Sequence, residues 1–152
     1  MKLKYLIIFF ICINVAKLIS QNRVVDSLIN YVNTAPQDTH KLSVLTRVIE
    51  AISEDAVWSK YNDQLGPLAQ TLMLSDDESI KLKAKRHFSD YLNNKGYLSN
   101  NLGDITGALD YFHQSLKIQE QIGDKSGQSY SLNNIGYIYS SQKQFLRALE
   151  CY

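Results

Sequence analysis

The chain repeats its own sequence at an offset of 40 residues. Residues 89–97 read SDYLNNKGY, and residues 129–137 read SYSLNNIGY. A second match follows, because ALDYF at residues 108–112 returns as ALECY at residues 148–152. A fixed period of this length is typical of proteins that stack one structural unit, and such stacks form extended binding surfaces rather than catalytic pockets. We therefore expect a stacked array of repeats.

Every segment after residue 21 has a helical pattern. Apolar residues recur three and four positions apart, and no stretch alternates in the manner of a β-strand. Helices are predicted at about residues 23–33, 39–53, 54–74, 79–101, 105–122, 125–142 and 144–152. The predicted fold class is all-α, an α-solenoid of antiparallel helix pairs joined by short turns.

Short polar residues, glycine and proline mark the helix ends. Either Asp38 or Thr39 is expected to cap the second helix, and residues 75–78 (SDDE) have the pattern of a capping box. Pro67 should kink or interrupt the third helix, because it lacks an amide proton and clashes with the preceding turn. A turn with a left-handed Gly103 and a capping Asp104 is predicted at residues 102–104, and Gly123 with Asp124 is predicted to stop the next helix.

The amino terminus has the pattern of a secretory signal peptide. Lys2 and Lys4 precede an apolar run at residues 5–16, which is short for a membrane span of about 20 residues. The predicted signal peptide covers residues 1–20, with cleavage after Ser20. An uncleaved signal anchor is the alternative, and either reading places the rest of the chain outside the cytoplasm.

Composition and motifs do not indicate catalysis or nucleic-acid binding. The chain has 16 basic and 15 acidic residues, which gives no strongly basic face for nucleic acid. His40, His87 and His113 lack the spacing of metal ligands. Cys12 lies in the signal segment, so Cys151 is expected to be a lone packing or surface thiol. We predict no catalytic residue, no metal site and no cofactor.

The repeated residues resemble the tetratricopeptide repeat family over residues 85–152. Gly96 and Gly136 stand where the two helices of a pair touch, and Ala108 and Ala148 allow the same approach from the second helix. Large residues that would fill the seams between helices are Phe112, Tyr139 and Tyr152. Departures from the family pattern occur at Lys95, Ser99 and Lys143. The 40-residue spacing is similar to the long-repeat subclass, which includes kinesin light chains and bacterial signalling proteins.

The resemblance also implies an organisation for the chain. A signal peptide or anchor at 1–20 precedes a divergent helical region at 21–74, a tetratricopeptide-like repeat at 75–124, and a second, truncated repeat at 125–152. This order resembles the exported N-terminal sensor region of Bacteroidetes-type signalling proteins. In those proteins a membrane span and a histidine kinase, nucleotide cyclase or DNA-binding output follow. We therefore expect a piece of a longer protein, periplasmic or membrane-associated, with any catalytic output beyond residue 152.

In tetratricopeptide arrays the first helix of each pair lines a concave face, so the resemblance implies a groove here. The implied groove residues of the first repeat are Asp90, Asn93, Asn94, Tyr97, Asn100 and Asn101. Those of the second repeat are Tyr130, Asn133, Asn134, Tyr137, Ser140 and Ser141. Their spacing of three and four residues places them on one helix stripe. Asparagine supplies donors and acceptors for a peptide backbone, and tyrosine supplies contact area. The alternative is an ordinary solvated helix face.

Two functions follow from these observations. The first is an exported module that binds a protein or peptide segment as the sensory input of a signalling protein. The second is a structural or dimerisation scaffold that self-associates and has no separate ligand. Neither involves nucleic acid, and contact with a membrane would come only through a signal anchor or a downstream span.

Overall fold

A computed structural model describes residues 23–152, which form seven helices and no strand. These are α1 at residues 23–34, α2 at Thr39–Ala51, α3 at Asp55–Leu72, α4 at Glu78–Asn101, α5 at Ile105–Ile122, α6 at Lys125–Ser141 and α7 at Phe145–Cys151. The predicted all-α class is confirmed. Among the described helices, none combines the length and hydropathy needed to cross a bilayer. The predicted signal segment and its cleavage site lie outside the described residues.

Aspartate residues cap α2, α5 and α6, and two of them, Asp38 and Asp104, were candidates in the sequence. The side chain of Asp38 accepts the Lys41 amide at 2.9 Å, so Asp38 rather than Thr39 caps α2. Asp104 and Asp124 cap α5 and α6 in the same way, with distances of 3.0 and 3.1 Å to the amides three residues on. Each carboxylate satisfies a backbone donor that the first helical turn leaves without a partner.

The start of α4 corrects the predicted capping box. The helix begins at Glu78, and the carboxylate of Asp77 accepts the amides of Ser79 and Ile80 at 2.8 and 3.2 Å. Ser75 lies before the helix, where its hydroxyl accepts the Asp77 amide at 3.1 Å. A charged carboxylate is the stronger acceptor, so it takes the capping position from the serine.

The third helix contains Pro67 without interruption, which excludes one of the two predicted effects of this proline. Gly66 precedes the proline and has no Cβ atom to clash with the proline ring. The same absence admits the ring of Tyr91 from α4, which lies 2.7 Å from the position a Cβ would occupy. Gly66 therefore both tolerates Pro67 and brings α3 close to α4.

The turn before α7 keeps the backbone of the equivalent earlier turn despite a different residue. Gly103 has a φ of 80°, and Lys143, 40 positions later, has a φ of 61°. A left-handed conformation is uncommon for residues with a Cβ atom. The departure from the family pattern at Lys143 therefore changes the side chain but not the shape of the turn.

The helices are arranged in two layers. Each helix from α2 to α7 packs against the next, and α4 also contacts both α2 and α6. Within the described residues, α3, α5 and α7 do not contact one another. Because α2, α4 and α6 lie closer together, they form the inner, concave layer of the stack. The predicted solenoid of helix pairs is confirmed, whereas the predicted domain boundaries stay predictions.

The apolar core of this stack consists of two clusters. One lies among the helices up to α4 and includes Leu42, Leu45 and Leu65. The other joins α5, α6 and α7 around Phe112 and Ile135. Buried polar side chains lie between the two clusters, at the junction of α4, α5 and α6.

Candidate functional site

Asn93, predicted to be a groove residue, is a structural residue at the floor of the groove. It is only 4% exposed. Its Nδ2 donates to Oγ of Ser115 at 2.8 Å, and its Oδ1 lies 3.1 Å from the hydroxyl of Ser131. Both polar ends of the amide are therefore used inside the fold. Asn93 also lines the larger of the two cavities described below, so its contact with a ligand stays a prediction, whereas its role in holding the fold is shown by these bonds.

Asn93 belongs to a network that we call the polar seam, which consists of Ser89, Asn93, Ser115, Gln119 and Ser131. The Ser115 hydroxyl donates to the carbonyl of Ser89 at 2.8 Å and accepts from Nε2 of Gln119 at 2.9 Å. Oε1 of Gln119 lies 2.7 Å from the Ser131 hydroxyl, which can donate to it or to Asn93. These bonds join α4, α5 and α6. Sequence reasoning missed the other four residues of the polar seam.

The side chain of Asn94 is held by the buried side-chain amide of Asn62. Its Nδ2 donates to Oδ1 of Asn62 at 2.9 Å, and Nδ2 of Asn62 donates to the carbonyl of Tyr91 at 3.3 Å. Asn62 is completely buried on α3. Asn94 is half-buried and reaches the groove, but its removal would leave a buried acceptor without its donor. Replacing Asn94 would therefore lower the stability of the fold as well as change the surface of the groove.

The structure brings five of the predicted residues together around one cavity of about 260 Å³, which we call the tyrosine pocket. The predicted residues are Tyr97, Asn100 and Asn101 of α4 with Asn134 and Tyr137 of α6. Phe112 and Ile138, both buried, complete the lining. The pocket lies between neighbouring helices of the inner layer, so two consecutive repeats contribute to one site.

A second cavity of about 450 Å³, the charged pocket, lies between α2, α4 and α6. Asp90, Asn94 and Tyr130 line it, and Asn93 lies at its floor. Further charged residues in the lining are Glu50, Arg86 and Asp124. Nε of Arg86 lies 3.3 Å from Oδ2 of Asp124, so these two form an ion pair across α4 and the start of α6. We call the two pockets together the inner groove.

Three predicted residues line neither pocket. Asn133 and Ser141 are exposed, and Ser140 is half-buried. The Ser141 hydroxyl donates to the carbonyl of Ile138 at 2.7 Å, within its own helix. Asn133 occupies the position 40 residues after Asn93, yet it faces solvent. The same residue type therefore has different surroundings in the two repeats.

The remaining reactive side chains have local partners. Nδ1 of His40 lies 2.6 Å from the Tyr31 hydroxyl, and Nδ1 of His87 lies 3.0 Å from the Thr46 hydroxyl of α2. Burial raises the pKa of the Cys151 thiol above its ordinary value, which disfavours the nucleophilic thiolate at neutral pH. Within residues 23–152, no three His, Cys, Asp or Glu side chains form a group that could hold a metal ion.

Comparison with known families identifies the repeated part of the chain. Residues 89–152 match a family model described as "Tetratricopeptide repeat". No curated protein and no solved structure gives a significant match to the chain. The match spans both copies of the repeated sequence, and with them most of the inner groove. It confirms the family resemblance drawn from Gly96, Gly136 and their neighbours.

Proposed function

We propose that this chain, whose residues 89–152 belong to the tetratricopeptide repeat family, binds an extended segment of a partner protein along its inner groove. Tetratricopeptide repeats are generally protein–protein interaction modules. One observation carries the proposal. In the tyrosine pocket, side chains of two consecutive repeats converge on a single cavity, although they are far apart along the chain.

The chemistry of the inner groove suits a peptide backbone. Asn100 and Asn134 carry both a donor and an acceptor, as does each peptide unit of a ligand. Nδ2 of Asn101 donates to Oδ2 of Asp55 at 3.0 Å, which fixes the orientation of that amide at the pocket. Tyr97 and Tyr137 offer rings that are 45% and 63% exposed. Tyrosine gives a large contact area with little loss of side-chain freedom on binding, so it often anchors interfaces. A strand-like peptide could lie between α4 and α6 and use both kinds of group.

We expect Tyr137→Ala to weaken peptide binding by about thirtyfold or more, the loss typical of an aromatic anchor. The full chain, kept in mild detergent, would be screened against a library of random peptides displayed on phage. Affinities of the enriched peptides would then be measured by fluorescence anisotropy. Phe145→Ala is a matched control, because Phe145 is 64% exposed but lies outside the inner groove. It should leave the affinity unchanged.

Undiminished binding by Tyr137→Ala would overturn this assignment of the groove.

The dimerisation scaffold remains the second candidate because of a row of exposed apolar side chains on and next to α7. The row consists of Phe145, Leu146, Leu149 and Tyr152, which are 64–81% exposed. Failure to enrich any peptide, together with self-association in sedimentation that Phe145→Ala weakens, would favour the scaffold.

We further propose that the module acts outside the cytoplasm, as the input of a signalling protein whose output domain follows it. The support is the order of the sequence, in which a basic and then apolar segment precedes the repeats. Alkaline phosphatase fused after residue 152 should be active in a bacterial host, because that enzyme folds only after export. Ile8→Arg, which breaks the apolar run, should abolish the activity. An inactive fusion with the natural sequence would contradict export.

A further inference from the structure

The tyrosine pocket selects against charge. The seven residues that line it are all uncharged, and they include buried Phe112 and Ile138 and the exposed rings of Tyr97 and Tyr137. A charged side chain entering this cavity would lose water without meeting an opposite charge among the lining residues, which is unfavourable. The carboxylate of Asp55, next to Asn101, is already engaged by the Asn101 amide. An apolar side chain would instead bury its surface favourably. The pocket therefore fits an uncharged, apolar side chain of the ligand.

The charged pocket has the opposite character. Arg86 is paired with Asp124, whose other oxygen accepts the amide of Gly127. Glu50 of α2 and Asp90 of α4 line the same cavity. Asp90 also lies 3.5 Å from Nδ1 of His87, beside the pocket. Three carboxylates against one guanidinium leave a negative balance, which attracts a basic group into a partly enclosed cleft.

The distance between the two pockets follows from the helices that line both. On α4 the charged pocket takes residues 86–94 and the tyrosine pocket 97–101, with midpoints at 90 and 99. On α6 the corresponding ranges are 126–130 and 134–138, with midpoints at 128 and 136. Offsets of nine and eight residues correspond to about 12–14 Å along a helix. The two helices therefore give nearly the same separation.

An extended peptide covers this distance in about four residues, at roughly 3.3 Å each. Side chains of an extended chain alternate between two faces, so residues four apart point the same way. A ligand can therefore fill both pockets at once from a single face. The peptide backbone between the two anchor residues would then lie along Asn94 and the asparagine side chains of the tyrosine pocket.

We infer that the inner groove recognises peptides with two anchors, an uncharged apolar residue in the tyrosine pocket and a lysine or arginine four positions away in the charged pocket. This inference rests on the proposed function and names the class of ligand for the same groove. Each anchor alone would bind weakly. The spacing between them supplies the specificity.

The random-peptide library tests this inference directly. Enriched peptides should share an apolar residue and a basic residue at a separation of four. In a synthetic peptide of that pattern, changing the basic residue to glutamate should weaken binding by about tenfold or more. The double variant Glu50→Gln, Asp90→Asn should lose affinity for the natural pattern by a similar factor. Glu120→Gln, which removes a charge from α5 outside both pockets, should leave the affinity unchanged.

The outcomes separate this inference from the proposed function. Peptides that depend on Tyr137 but lack the basic residue, or carry an acidic one there, would overturn the two-anchor pattern and leave the groove assignment standing. An unchanged affinity of the Glu50→Gln, Asp90→Asn variant would do the same. Enriched peptides that bind Tyr137→Ala as well as the unaltered chain would overturn both.

Discussion

Asn93→Asp will destabilise the chain by about 3–5 kcal/mol at neutral pH, while the same change at Asn133 will alter stability by less than about 0.5 kcal/mol. The two positions are 40 residues apart and equivalent in the repeat. Asn93 is 4% exposed and donates to Ser115, whereas Asn133 faces solvent. A carboxylate at position 93 would be a buried charge with no cation among the polar seam residues. It would also turn an oxygen toward the Ser115 oxygen in place of the lost donor.

The effect should depend on pH. Burial raises the pKa of an aspartate at position 93 in the folded state above its unfolded value of about 3.9, since Arg86 in the same pocket is already paired with Asp124. The folded state then binds more protons than the unfolded state between these two values, so stability falls as the pH rises through them. The deficit is complete above the folded pKa and shrinks as the pH falls through it. Urea unfolding of the full chain at about pH 8 and about pH 5 would measure this change.

A graded variant guards against complete unfolding of Asn93→Asp. In Asn93→Ala, Ser131 can still donate to Gln119, and Ser115 keeps its bonds to Ser89 and Gln119. The loss should then be smaller, about 1–3 kcal/mol, and independent of pH. Equal effects of the aspartate changes at positions 93 and 133 would contradict the polar seam.

The polar seam also marks the limit of what the sequence could predict. Apart from the capping box before α4, caps and turns were predictable because residues such as Asp104 and Gly123 act on the backbone within one helical turn. The role of Asn93 depends on Ser115 and Ser131, which are distant along the chain. One local signal pointed inward: Asn93 shares a helix stripe with Gly96, three residues on, which was predicted to lie at a helix crossing. The prediction relied on the polarity of Asn93, whereas its position on the same stripe as Gly96 indicated the burial that the structure shows.

The same distinction between features of one helix and features of helix packing applies to the rest of the inner groove. Asn134 and Tyr137 share one face of α6 because helical periodicity requires it, and both line the tyrosine pocket together with Tyr97 of α4. The contact of Asn94 with buried Asn62 could not be predicted, because it needs the packing of α3 on α4. The pockets themselves, and the arrival of Glu50 from α2 in one of them, follow from the spacing of the inner helices. Periodicity within one helix contains no information on that spacing.

Phe112→Ala will cost about 3–5 kcal/mol, and Tyr152→Ala, 40 residues later, less than about 1 kcal/mol. Both rings lie against a glycine of the preceding helix, Gly96 and Gly136 respectively. Phe112 is 3% exposed within the second apolar cluster, so its removal leaves a cavity that the neighbours fill only in part. Tyr152 is 70% exposed, so water replaces most of its surroundings. Urea unfolding at neutral pH would compare the two variants, and similar losses would contradict the packing at Gly96.

Gly96, which lies against the Phe112 ring, allows a stricter test. The effect of Gly96→Ala on the free energy of unfolding should change sign when the ring is removed. A Cβ atom at position 96 would lie 2.7 Å from the Phe112 ring, so Gly96→Ala should destabilise the otherwise unaltered chain by about 1–2 kcal/mol, even though alanine is the better helix former. Once Phe112→Ala has removed the ring, the same methyl group meets a cavity. Gly96→Ala should then stabilise the variant by about 0.5–1 kcal/mol, through helix propensity and partial filling. At Gly136 the exposed Tyr152 ring can move aside, but the Cβ atom of Cys151, 3.2 Å from the added methyl group, would also have to shift slightly. Gly136→Ala should therefore cost less than Gly96→Ala in the unaltered chain, and Phe112→Ala should not change its sign. Only direct contact between Gly96 and Phe112 produces this reversal, since independent sites would give additive effects of constant sign.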